Sequence, residues 1–283
     1  MKSKFFFITT LCFACFMMSS CEKKSNGGTS EDSETLGTLE IVGGALPGKF
    51  SISETKKVQF SQGNLQYLGE TGTWRFAEHQ YDFVGDANKN ISTMCKNWID
   101  LFGWGTGSNP TKTDTDYKKY SYFSEWGNNP ISNGGNKANQ WRTLEDYEWE
   151  YLLNTRKEAK SLRGQAKVNN IKGYILLPDG FVFPKGIDFE ADAKSSTYNE
   201  YTLNQWTKLE IAGAVFFPCG GRRYQTEVEN HSGLCTYWTA TPRIVSGTVN
   251  GEATAYDVAF SNQKITNSLR TYGLSVRLVQ DVK

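Results

Sequence analysis

The chain of 283 residues carries 31 Lys and Arg against 30 Asp and Glu, a formal net charge of +1. Both signs are mixed along its length, which leaves no basic face for nucleic acid. After residue 20 no stretch holds the roughly 20 apolar residues of a membrane-spanning helix, so no span is expected there.

Lys2 and Lys4 open the chain, and an apolar run follows over residues 5–18, with Phe5, Phe6, Phe7, Leu11, Phe16 and Met18. A charged start and a short apolar core are the layout of an export signal. Ser19 and Ser20 lead to Cys21, after which Glu22, Lys23 and Lys24 turn the sequence polar. This junction resembles the lipobox of bacterial lipoproteins, with Met18 where Leu is usual. The resemblance implies that residues 1–20 are a signal peptide and that Cys21 carries the lipid. Acyl chains would then hold the protein at a membrane of the cell envelope, with the outer membrane the expected address. Residues 21–45, rich in Ser, Gly, Thr and acidic groups, read as a tether, which leaves residues 46–283 as one domain.

Of six cysteines, Cys12 and Cys15 leave with the signal and Cys21 is acylated, so Cys95, Cys219 and Cys235 remain. An odd number leaves at least one unpaired within the chain. Closing the short loop between Cys219 and Cys235 is worth about 3 kcal/mol in an exported protein, although spacing alone does not establish the sulfur geometry. No Cys or His pair has zinc-site spacing, and His79 and His231 read as surface residues.

In chain order, strands are predicted at residues 50–53, 58–60, 64–67 and 74–77, with a hairpin turn at 70–73. Trp98, Leu101 and Phe102 stand at i, i+3 and i+4 ahead of Gly103, which predicts a short glycine-capped helix over 97–102. Residues 103–140 mix Gly, Asn, Ser and Thr with aromatics and read as a long irregular surface excursion. Thr143 is expected to cap a helix whose first turn holds Glu145 and Asp146, with an apolar arc of Leu144, Tyr147, Trp149, Tyr151, Leu152 and Leu153. A strand at 174–177 ends at Pro178, and a second long loop runs over 179–201. A further helix begins with a Thr202/Gln205 capping box, points Trp206 and Leu209 inward and ends before Gly213. Strands at 214–217, 236–239, 255–260 and 274–279 complete the pattern.

Four segments carry a family likeness. They are Gln140-Trp141-Arg142-Thr143-Leu144 leading into Tyr147-Glu148-Trp149-Glu150-Tyr151, Gly213-Ala214-Val215-Phe216-Phe217-Pro218 with Gly220-Gly221-Arg222, Tyr237-Trp238-Thr239-Ala240-Thr241, and Tyr272-Gly273-Leu274-Ser275-Val276-Arg277-Leu278-Val279. Together with Phe60-Ser61-Gln62-Gly63-Asn64-Leu65-Gln66-Tyr67 they resemble a large paralogous-domain group of Bacteroidetes lipoproteins, related in fold to formylglycine-generating enzymes and C-type-lectin-like domains. The resemblance implies an α+β, C-type-lectin-like core with a small antiparallel sheet, two main helices and long loops. Arg142, Glu148 and Arg277 then read as structural charges, and Trp141, Trp149 and Trp206 as core.

Formylglycine-generating enzymes work through two closely spaced cysteines before the last strand, where this chain has Cys235 alone, the next one back being Cys219. No Gly-x-Ser-x-Gly elbow, His-Glu-x-x-His or Walker-type Gly-Lys-Ser/Thr occurs, and Gly103-Trp104-Gly105-Thr106-Gly107 lacks the lysine of a phosphate cradle. Sugar-binding C-type lectins hold calcium with a Trp-Asn-Asp triplet, where Trp238-Thr239-Ala240 stands here. Calcium therefore has only Asp114 and Asp116 to point to, and no other cofactor is expected. Trp104, Tyr122, Trp126, Arg222, Arg223 and Tyr224 are the candidate binding residues, because exposed Trp, Tyr and Arg are enriched at recognition hot spots. The competing reading is that these aromatics pack the loops onto the body. The expectation is a non-catalytic, ligand-binding envelope lipoprotein that takes a glycan or a surface protein. The alternatives are a relative of the formylglycine-generating enzymes that retains activity, and a structural subunit of a surface appendage.

Overall fold

The computed structural model describes residues 37–193, 199–229, 233–243, 254–260 and 263–283. The expected signal peptide, Cys21, the tether up to residue 36 and His231 lie outside them. Where the described chain begins, Val42 and Ala45 pair across a turn, Ala45 bridges Ser61, and the Leu46 amide donates to Phe60 O at 2.9 Å. The last residues of the expected tether therefore pack on the body, and Gly44 allows it: at φ +85°, a Cβ there would lie 2.6 Å from Asn133 O.

Short sheets and few helices give the expected α+β class. In the first sheet Lys57–Phe60 lies between Phe50–Ser51 and Val279–Asp281, with Phe60 opposite Val279, so the C-terminal strand closes against the first part of the body. The second joins Thr73–Phe76, Leu65–Leu68 and Trp98–Ile99, and contains the predicted hairpin. The predicted helix at 97–102 does not form. Asn88 Oδ1 takes the amides of Asp100 and Leu101 at 2.9 and 3.1 Å, and Phe102 pairs with Leu274, so the donors of a helical turn are already engaged.

A four-stranded sheet runs Asn199–Tyr201, Arg163–Val168, Ile171–Leu176, Val215–Pro218, with the first pair parallel. Arg163–Val168 was not predicted. Asn169 and Asn170, both at positive φ, turn it into Ile171–Leu176, as a two-residue hairpin requires. Helix α2, Leu203–Ile211, starts at the expected Thr202/Gln205 box and lays Trp206 and Leu209 on this sheet beside Ala214 and Phe216. Helix α1, Asp146–Glu150, continues as a π turn, Tyr151–Thr155. Its N-cap is Glu145 rather than Thr143, because the Thr143 hydroxyl donates to Glu125 at 2.8 Å while Glu148 takes the Glu145 amide at 2.9 Å. Trp149, Leu152 and Leu153 are buried, but Tyr147 points outward.

Thr236–Arg243, Thr254–Ala259 and Lys264–Leu269 form an antiparallel sheet with a register shift between Trp238 and Pro242. The predicted strand 274–279 is instead a stitch between sheets. Its carbonyls serve Phe102, Trp238, Leu65, Ser61 and Arg142 in turn, five amides from separate parts of the chain, and only Val279 enters a strand. Arg142 and Glu148 form a two-armed ion pair, at 2.7 and 2.9 Å, beside that stitch.

A candidate recognition surface

The remaining sheet aligns Glu227–Glu229, Arg222–Tyr224 and Tyr272–Gly273. Strand pleating sends alternate side chains to opposite faces, so Arg222 and Tyr224 point out and Arg223 points in. The Arg222 guanidinium lies 4.8 Å from the centre of the Tyr272 ring, and its Nε and Nη2 donate to Glu229 Oε2 at 3.1 and 2.9 Å. Tyr224 stands opposite Tyr272 across the strands, with ring centres 5.7 Å apart and planes nearly perpendicular. Tyr224 is exposed, and Arg222 and Tyr272 are half-buried. An arginine fixed by a carboxylate and an aromatic face, beside a second ring, can stack on a sugar or an aromatic side chain and donate to acceptors at its edge.

Three candidate residues are not on any surface. Arg223 is fully buried, with Nε donating to Leu101 O at 3.2 Å. Burial pulls this guanidinium down to about 10, and Tyr120, which faces it, is pushed by burial up to about 12. Gly273 makes room for it, because a Cβ there would meet Arg223 Nη2 at 2.9 Å. Trp104 is 1% exposed, donates to Thr239 O at 3.1 Å and is covered by the Arg270 guanidinium at 4.3 Å. Trp126 is wholly buried against Phe102 and Phe123. These three are therefore core residues, corrected from contact residues. Tyr122 is 89% exposed but makes no ring contact or hydrogen bond with the Arg222 group among the described residues.

Sequence reasoning did not single out Tyr272, which entered only as the first residue of a family segment, or Trp98, which it placed in a helix. Trp98 lies half-buried on the outer face of the second sheet under the Arg75 guanidinium, 3.8 Å away, and Gln66 Oε1 holds that guanidinium by its Nε at 2.9 Å. The signal for both was an aromatic residue within reach of an arginine on another strand of the same sheet, a pattern that needs the strand order.

Both carboxylates offered to calcium are engaged. Asp114 takes the Asp116 amide at 2.9 Å, and hydrogen bonding to Lys119 holds its carboxyl below the usual range. Asp116 caps the turn Tyr117–Tyr120 through the Lys118 amide. Among the described residues no group of three or more His, Cys, Asp or Glu could hold a metal ion.

Cys95, Cys219 and Cys235 are all buried free thiols, so the loop between Cys219 and Cys235 is not closed. Cys235 donates to Phe217 O at 3.3 Å, and burial, with Cys219 beside it, pushes its thiol far up. A nucleophilic cysteine needs the opposite environment. Arg277 is held by Gln80 Oε1 at 2.9 Å over the Phe217 ring, where burial lowers it to about 10. The exposed His79 stacks on Tyr81. An open depression of about 650 Å³ at the start of α2, lined by Lys167, Asn170, Glu200 and Leu203, has its lysine and glutamate already paired.

Comparison with protein-family models, with curated proteins and with solved structures found no match.

Proposed function

We propose that this chain is a lipid-anchored, non-catalytic, C-type-lectin-like module of the bacterial envelope, held at the outer membrane through Cys21. It binds a glycan or a surface protein through Arg222, Tyr224 and Tyr272. The observation that carries the reading is the outward-facing cluster itself: an exposed and a half-buried ring and a guanidinium locked in place by Glu229, on a sheet whose inner face is tied to the core through Arg223. Preorganised aromatic and arginine groups lose little freedom on binding, which favours their use as anchors. The order and spacing of the five sequence segments support the lectin-like assignment. Adjacent thiols at Cys219 and Cys235 keep a formylglycine-generating-enzyme relative as the second reading, although the burial of Cys235 speaks against a thiolate there.

A glycan and surface-protein binding screen on the purified chain, with calcium and with chelator, identifies the ligand. Replacing Tyr224 or Arg222 by Ala is expected to weaken retention about tenfold or more while stability changes by about 1 kcal/mol or less. Retention that survives both substitutions places the site elsewhere. Turnover that disappears in Cys219→Ser or Cys235→Ser would favour the enzyme.

A further inference from the structure

Residues 180–183 form the tip of a loop that is fixed at its base and apolar at its end. At the base, Asp179 accepts from Ser51 N and Oγ at 3.1 and 2.6 Å and from Arg156 Nη1 at 3.1 Å. On the return side, Ile187 is buried and Phe189 half-buried against the cluster holding Trp206 and Leu209. Between these anchors Val182 is 80% exposed and Phe183 41% exposed. Phe183 rests edge-on against Phe181 at 5.0 Å and tilted against Phe189 at 5.6 Å, so the rings hold one another in place while one side faces water. Gly180 and Gly186, at φ +64° and +74°, turn the chain outward and back, and a Cβ on either would meet nothing within 4 Å. Large apolar side chains held in water by a fixed base are unfavourable unless an apolar medium receives them.

The place where the described chain begins bears on what that medium is. A Cβ on Gly37 would lie 3.5 Å from Ile211 at the end of α2, and one on Gly213, two residues on, would lie 3.3 Å from Pro178, immediately before Asp179. The start of the described chain and the base of the loop thus meet at one end of α2. The sixteen residues from Cys21 to Gly37 span at most about 55 Å, so the loop stays within reach of whatever Cys21 is fixed in. We infer that Val182 and Phe183 insert into the interfacial layer of the lipid bilayer that carries the anchor, and so set which face of the body looks outward. The inference rests on the lipid-anchor reading above. Exposed Lys185 is outweighed by exposed Asp188 and Glu190, so the attraction is apolar and gains nothing from anionic headgroups.

Amide exchange of the full chain reconstituted in vesicles of phosphatidylethanolamine with a minority of phosphatidylglycerol tests it. Among the described residues, no amide of 180–183 donates to a backbone carbonyl, so in water these exchange without protection. In vesicles they are expected to slow by about tenfold or more, while Tyr122 is unaffected and the Val182→Asp, Phe183→Asp double variant loses the protection. Unprotected exchange of 180–183 in the native chain overturns the inference. Protection that grows with protein density at fixed lipid, the mark of a second copy covering the tip, overturns it too. The mass of the N-terminal peptide tests the anchor separately: an unmodified Cys21 removes the lipoprotein reading, while the docking still stands or falls on exchange with vesicles added to the same chain.

Discussion

Residues 103–140 and 179–190 are both long connections rich in glycine and aromatics, yet the first buries Trp104, Tyr120 and Trp126 while the second leaves Val182 and Phe183 in water. Trp104, Tyr120 and Trp126 are buried, and the chain around them is drawn tight at glycines: a Cβ on Gly105 would meet the Phe123 Cα at 2.7 Å, and one on Gly127 would meet Trp141 O at 1.8 Å. Around Val182 and Phe183 the glycines face open space. Composition was the same signal in both regions. What separates them is whether the glycine permits a close backbone approach or only a turn, and that distinguishes loops that pack from loops that present.

Substitution at the glycines and rings of the first region should give the largest effects. In Gly127→Ala the new carbon meets backbone rather than a flexible side chain, so the fold is expected to fail or to lose several kcal/mol. Trp126→Ala should cost about 3–5 kcal/mol, because it empties a fully buried site. In the second region Gly180→Ala should cost about 1–2 kcal/mol, from the left-handed backbone alone. Denaturant midpoints of the three variants check the order. A Trp126→Ala protein of native stability would return Trp126 to the surface and break the contrast.

Much of the fold followed from local chemistry, and what was missed followed from long-range chemistry. The Thr202/Gln205 box and the turn over residues 70–73 are properties of a few adjacent residues, and both formed. The 97–102 segment went wrong because Asn88, nine or more residues away, captures its amides. Arg163–Val168 escaped notice because Arg163, Gln165 and Lys167 make it look polar, although Asn169-Asn170 marked its turn. Arg222 and Tyr224 were named by residue type, and both lie on the outer face of their strand. Arg223 was added wrongly, because side-chain alternation can be applied only once 222–224 is known to be a strand. Tyr272 needed a partner strand some fifty residues away.

The base of the presenting loop offers a second, intermediate effect. Burial alone pushes the Asp179 carboxyl up, but hydrogen bonds from Ser51 and Lys57 and the Arg156 guanidinium outweigh it and hold the group below its ordinary value. A carboxyl lowered on folding stabilises the fold at all pH above its unfolded value, and that contribution is lost as pH falls through the lower folded value. Asp179→Asn leaves the buried Arg156 without its charge partner and should cost about 2–4 kcal/mol at neutral pH. The gap between native and variant stability should close as pH falls through that lowered folded value, where the native carboxyl becomes protonated as well. A gap unchanged by acid would mean that Asp179 acts through shape rather than charge.

The smallest and sharpest test sets Phe123 against Phe183. Each ring touches two others at nearly the same separations: Phe123 at 5.1 Å from Trp104 and 5.4 Å from Trp126, Phe183 at 5.0 Å from Phe181 and 5.6 Å from Phe189. If ring pairing set the energy, the two alanine variants would lose similar stability, since an aromatic pair is worth about 0.5–1.5 kcal/mol beyond burial. Burial instead favours Phe123, which packs on the core cluster of Trp104, Trp126 and Trp141, so Phe123→Ala should cost about 2–3 kcal/mol and Phe183→Ala about 1. Denaturation in water measures both. Equal losses would show that the rings of residues 179–190 are a small core of their own, and the distinction between a loop that packs and a loop that presents would lose its energetic basis.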